Sequence, residues 1–156
     1  MRAASMRGLW KSETMEMSTI NQLVAGLALS FAFGAMTFFS TVMTPLVFSK
    51  LPMKVAGPFI RQVFPWYYLT MGASLLIAIP ALILGSGGRP TWDVWLAILV
   101  LGGFAFARQV LMPRINQARD AEMIGELGAA RRFRGLHLAS VVINGLQWFA
   151  VLALLI

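Results

Sequence analysis

The sequence predicts an all-α membrane protein, an antiparallel four-helix transmembrane bundle, and three observations carry that reading. Four continuous apolar stretches each reach the roughly 20 residues that cross a bilayer core. Of the 156 residues, 58% are apolar or aromatic and 12% are charged, whereas a soluble domain carries about 25% charged residues. None of the stretches alternates with the two-residue period of a barrel strand. In hydrocarbon, a continuous segment of this kind satisfies its own peptide groups only as a helix.

Residues 1–19 read as an N-terminal tail, either disordered or a targeting segment, and residues 20–156 as the four-helix transmembrane domain. Arg2, Arg7 and Lys11 precede the first apolar stretch as they would in a secretory signal. That stretch, about residues 20–48, exceeds the roughly 7–15 residues of a signal core, so it reads as a retained first span. Leu51-Pro52 and Gly57-Pro58 are breakers that place a connection before the second span, about residues 66–85, inside which Pro80 removes one backbone donor. Residues 85–90 (Gly-Ser-Gly-Gly-Arg-Pro) make a tight turn, and the third span follows over about residues 92–112, with Pro113 marking its end. The next stretch mixes both charge signs and lacks breakers before Gly125 and Gly128. It predicts a helical extension outside the membrane, carrying an Arg119–Glu122 pair, and then a turn. The fourth span covers about residues 136–156.

Charge sets the orientation. Connections one and three, with Arg108 near the adjoining span end, hold nine Lys and Arg residues, against four in the tail and the second connection. The positive-inside bias then puts connections one and three in the cytoplasm and both termini outside, as in an integral protein of a bacterial cytoplasmic (inner) membrane. The expected partners are the lipid bilayer, anionic lipid head groups at the basic connections, and a membrane protein or a second copy of the chain. Nucleic acid is not expected, because no soluble basic module exists to hold it. Gly26, Ser30 and Gly34 form a row of small residues for close helix approach, within the bundle or between two copies. Trp92 and Trp95 fit the outer interface as anchors, and Trp66, Tyr67 and Tyr68 the inner one.

Polar side chains inside the spans mark the candidate site, since they are costly in hydrocarbon and turn toward a bundle interior. At 100° per residue, His137, Ser140, Asn144 and Gln147 share one face of the fourth span. Thr37, Thr41 and Thr44, with Ser40, share a face of the first, and Tyr67, with Thr70 and Ser74, a face of the second. The candidate ligand-binding set is therefore His137, Ser140, Asn144, Gln147, Thr37, Thr41, Thr44 and Tyr67. The same groups serve equally as hydrogen-bonding glue between helices. Arg108 reads as a residue that snorkels to the head groups.

Two motifs carry a family resemblance. Pro45 to Phe48 forms a Pro-x-x-Phe at the end of the first span, ahead of an Ala-Gly segment and an aromatic pair. Leu136, His137, Ser140 and Asn144 form a Leu-His-x-x-Ser-x-x-x-Asn pattern opening the last span. Together, over about residues 24–150, they resemble the transmembrane protein 205-like family of small four-helix membrane proteins. The resemblance implies architecture, because that family has no established reaction.

Function classes narrow accordingly. With no cysteine there is no thiol catalysis, iron–sulfur cluster or Cys-ligated zinc. The ten methionines do not cluster as a copper site, so no metal is expected. Catalytic residues and cofactors are left unassigned. A haem is open only through His137, with Met or with no second protein ligand. The first expectation is an accessory or scaffold subunit, or a small-ligand binder, without a catalytic constellation. The alternative is a redox or ligand-handling membrane enzyme acting on haem, quinone or lipid, with His137 under a polar intramembrane cavity.

Overall fold

The computed structural model describes residues 2–88 and 91–156, with side chains from residue 13 onward. Among these residues the chain forms helices and turns and no strand. Six α-helices, α1 (Arg2–Phe38), α2 (Thr44–Lys50), α3 (Met53–Gly85), α4 (Trp92–Phe106), α5 (Met112–Met123) and α6 (Ala129–Ala153), combine into four rods long and apolar enough to cross a membrane. The first rod joins α1 to α2 through a π-helical turn, Phe39–Met43, and the third joins α4 to α5 through another, Ala107–Leu111.

Both π turns lie just before a proline, and this explains how the helix passes Pro113, read as the end of the third span, into the expected extension. Pro45 and Pro113 occupy the first turns of α2 and α5. A proline ring clashes with the carbonyl four residues back, which here belongs to Thr41 or Gln109. Each of those residues sits inside the π turn, where the wider coil moves the carbonyl out of α register. The rod therefore passes its proline and continues.

The first connection is also shorter than expected. Pro52, with φ −56° and ψ 144°, sets the start of α3, and the helix runs on through Gly57-Pro58 without a break. Only Leu51-Pro52 separates the first two rods. The backbone of residues 2–19, set apart in sequence as a tail, is continuous with α1. The expected helical extension after the third span is present as α5, with its Arg119–Glu122 pair at 2.6 Å. The expected turn follows, where Gly125 and Gly128 adopt φ of 79° and 81°, a region that disfavours any side chain with a Cβ.

Neighbouring rods run antiparallel. Near one end Ser18 Oγ donates to Gly85 O (2.9 Å), and near the other Arg61 Nη2 donates to Asp120 Oδ1 (2.8 Å). α1 packs on α3, α3 on α4, and α6 closes the bundle against α1 and α4. The core is Leu29, Met36, Met71, Leu75, Phe104 and Val151, with alanines between them that let the helices approach. Outward-facing Leu27, Leu76 and Leu99 are mostly exposed, as befits surface that faces lipid.

The polar ends fix where a bilayer fits. Gln22, Gly85, Ser86, Thr91, Asp93 and Leu154 line a concavity of about 340 Å³ at the end bearing Ser18, so all four rods reach that level together. Counting the roughly 20 residues of a bilayer crossing from Ser18, Gly85, Asp93 and Leu154 arrives at Phe38, Pro65, Pro113 and Arg134. Beyond that second boundary the rods stand clear as a basic head, made of α2, the start of α3, α5 and the start of α6.

Two expectations are corrected by packing. Tyr67 and Tyr68 are buried rather than interfacial, and of that trio only Trp66 is exposed. Their rings join Phe39 and Phe64 in one cluster: Phe39 stacks on Tyr67 with centroids at 4.6 Å, and Phe64 on Tyr68 at 5.7 Å. The row Gly26, Ser30, Gly34 is not used inside the bundle, because a Cβ at either glycine would meet nothing within 4 Å.

Candidate functional site

Four of the eight candidate residues, Tyr67, Asn144, Gln147 and Thr37, take part in three hydrogen bonds from one rod to another, and each bond has a local reason. Tyr67 lies on the inner face of α3 opposite α6, and its hydroxyl donates to Asn144 Oδ1 at 2.9 Å. Gln147, one turn further along α6, is buried and donates from Nε2 to Val100 O on α4 at 3.1 Å. Its amide fits only because position 103 is glycine: a Cβ there would lie 2.7 Å from Gln147 Nε2. Thr37 Oγ1 donates to Phe33 O at 2.7 Å and accepts from Trp148 Nε1 at 2.8 Å, so its hydroxyl is used in both directions.

Trp148 was not singled out in the sequence, where it reads as one more apolar residue of the last span. Its ring also packs on Phe33, with centroids 4.8 Å apart. The signal for it was its place next to Gln147 on the half-polar face of α6. Gly103, with Gly102, reads in the sequence as letting a neighbouring backbone approach; what fills its space is the Gln147 side chain. A glycine in a helix shows its purpose only when the side chain filling its space is known.

The remaining candidates are not drawn into that network. Thr41 Oγ1 donates to Thr37 O within its own helix, at 2.7 Å, and is exposed. Thr44 and Ser140 are half-buried and make no side-chain hydrogen bond among the described residues. His137 is exposed, and its ring stacks on Phe133 with centroids 5.8 Å apart and planes 14° apart. The α6 stripe is therefore graded: buried at Gln147, half-buried at Asn144 and Ser140, open at His137.

Among the described residues, two buried polar atoms lack partners, Gln147 Oε1 and Arg108 Nε. Arg108 sits in the second π turn, forms no ion pair among the described residues and is half-buried. Among the described residues no three His, Asp or Glu side chains come together as a metal site. A shallow groove of about 460 Å³ lies between α1 and α3, lined by residues such as Leu27, Phe31, Thr70, Ser74 and Ile77. The Thr70 and Ser74 hydroxyls in it donate to carbonyls of their own helix, at 2.8 and 3.0 Å. The arrangement can hold rods in register through polar contacts, and it leaves a few polar groups of α6 unspent toward the basic end.

No curated protein and no solved structure matches the chain. The sequence pattern of a family described as Domain of unknown function (DUF4149) matches residues 27–123, from the middle of α1 to the end of α5 and more than half of the chain. The protein is a membrane-type helical member of the DUF4149 family.

Proposed function

We propose that this chain is a non-catalytic integral membrane protein, an accessory or scaffold subunit whose intramembrane polar groups set helix register. The observation that carries the reading is that Tyr67, Asn144, Gln147, Thr37 and Trp148 hydrogen-bond across rods, to one another or to a neighbouring helix backbone. Such bonds average about 0.6 kcal/mol in membranes and act chiefly by making other registers worse. Both termini lie outside a bacterial cytoplasmic membrane in this reading, with the basic head in the cytoplasm touching anionic head groups. The outward row of Gly26, Ser30 and Gly34 offers the approach for a membrane partner or a second copy. Kinship with the transmembrane protein 205-like family rests on the Pro45–Phe48 and Leu136–Asn144 patterns alone, the second of which lies outside the matched region.

One observation favours a second reading, a small-ligand site. Ser140, half-buried, and His137, exposed, lie on the membrane side of the counted inner boundary and make no hydrogen bond among the described residues. A lipid, quinone or haem approaching α6 there would meet them first. Gentle detergent purification, with an absorption spectrum and mass spectrometry of bound molecules, tests both readings. The subunit reading expects no small molecule whose retention depends on His137 or Asn144. A bound quinone, haem or lipid lost in His137→Ala and Asn144→Ala would overturn it. Orientation is tested in intact cells with a membrane-impermeant thiol reagent, since the chain has no native cysteine. Met15→Cys should react and Leu127→Cys should not.

A further inference from the structure

We infer that the basic head is a docking surface for an acidic, amphipathic segment of a water-soluble protein. The inference rests on the membrane-subunit reading above and names the chemistry of the partner.

Two features of the head point there. The first is apolar surface where lipid does not reach. Met123, Ile124 and Leu127, at the α5–α6 tip, are 74%, 84% and 96% exposed, and Met53, Val55 and Phe59 at the start of α3 are also exposed. Ile124 stands eleven residues beyond Pro113 along the third rod, about 16 Å, and Leu127 seven residues from Arg134 along the fourth, about 10 Å, whereas the head-group layer on each side adds only about 5–8 Å. Exposed leucines within the spans are covered by acyl chains; these are not. The three at the tip fall within five residues of one another, and an apolar group exposed to water marks a contact surface for a protein.

The second feature is the sign of the free charge. Every acid of the head is already paired within the head: Asp120 with Arg61 at 2.8 Å, Glu122 with Arg119 at 2.6 Å, and Glu126 with Arg132 at 3.0 Å. Arg119 also lies over the Phe133 ring, 5.1 Å from its centroid. Lys50 and Lys54, twelve and eleven residues beyond the boundary at Phe38 and Pro65, are exposed and make no ion pair among the described residues; Arg114, Arg131 and Arg134 are equally exposed and unpaired at the boundary itself. What the head offers a partner is therefore apolar contact plus positive charge with no competing negative charge. A second copy of the same head would bring cation against cation. An acidic helix with an apolar face matches both features.

The test uses the full chain in nanodiscs of phosphatidylcholine. The probes are two labelled synthetic helices sharing one leucine face, with Glu or Lys on the polar face, read by fluorescence anisotropy. The Glu helix should bind and weaken about tenfold on going from low to physiological salt. Ile124→Ser with Leu127→Ser, and separately Lys50→Glu with Lys54→Glu, should each weaken it by about tenfold or more. All four side chains are exposed, so folding does not depend on them. Equal binding of both helices, binding of neither, docking of phosphatidylserine vesicles in their place, or head-to-head dimers would each overturn the inference. Leu99→Cys in the same discs serves as the separate check on the spans. If a water-soluble thiol reagent reaches it, the membrane reading itself fails, whatever the helices do.

Discussion

Gly103 and Gln147 form an interlock between the third and fourth rods whose energetics can be worked from the structure. Replacing Gly103 by Ala puts a Cβ 2.7 Å from Gln147 Nε2, inside any tolerable contact, and the amide must withdraw. Withdrawal breaks the bond to Val100 O, a loss of about 0.6 kcal/mol on average for such bonds and up to about 1.7. It also strands a second buried polar atom beside Gln147 Oε1, which already lacks a partner, at a cost of about 1–3 kcal/mol. Alanine returns up to about 1 kcal/mol through its better helix propensity. The net expectation is a loss of about 1–2 kcal/mol for Gly103→Ala in the native background. With Gln147→Ala already present, no amide is displaced and the propensity gain remains, so the same substitution should be neutral or stabilising. A double-mutant cycle, read by reversible unfolding in mixed micelles, measures this coupling directly. Equal losses in both backgrounds, within about 0.5 kcal/mol, would refute the interlock.

Three further outcomes follow from other contacts. Tyr67→Phe keeps the ring cluster but removes the donor to Asn144 Oδ1; it should cost about 0.5–1.5 kcal/mol, and Asn144→Leu should cost no more once Tyr67→Phe is in place. Trp148→Phe loses the bond to Thr37 while keeping an aromatic ring against Phe33. It should cost about 1 kcal/mol or less, against about 3 or more for Trp148→Ala, which empties a packed site. Arg61→Ala removes an exposed pair with Asp120. The loss should stay under about 1 kcal/mol and vanish in high salt, so a large salt-independent loss would show that the head depends on this contact for folding.

Much of the architecture was legible because the bilayer constrains it before any packing is known. Peptide groups in hydrocarbon must be bonded within their own segment, so four long apolar stretches meant four helical rods, and the Gly125 and Gly128 turn carried its own backbone signature. What reading along the chain could not supply is the neighbour across the gap. Pro113 marked the end of a span because its clash with a carbonyl is local, whereas the π turn that carries the helix past it is a property of the whole rod. Tyr67 and Tyr68 looked like interfacial anchors because amphipathic rings favour that depth. They are core because Phe39 and Phe64 lie against them. Periodicity likewise put His137, Ser140, Asn144 and Gln147 on one face, but only the position of α4 and α3 decides which of them meets a partner. Composition and segment length determine that this chain crosses the membrane, because solvation acts on each residue separately. Which polar groups are spent on neighbouring helices, and which stay open, depends on pairs of residues far apart in the chain, and only the packed tertiary structure brings those pairs together.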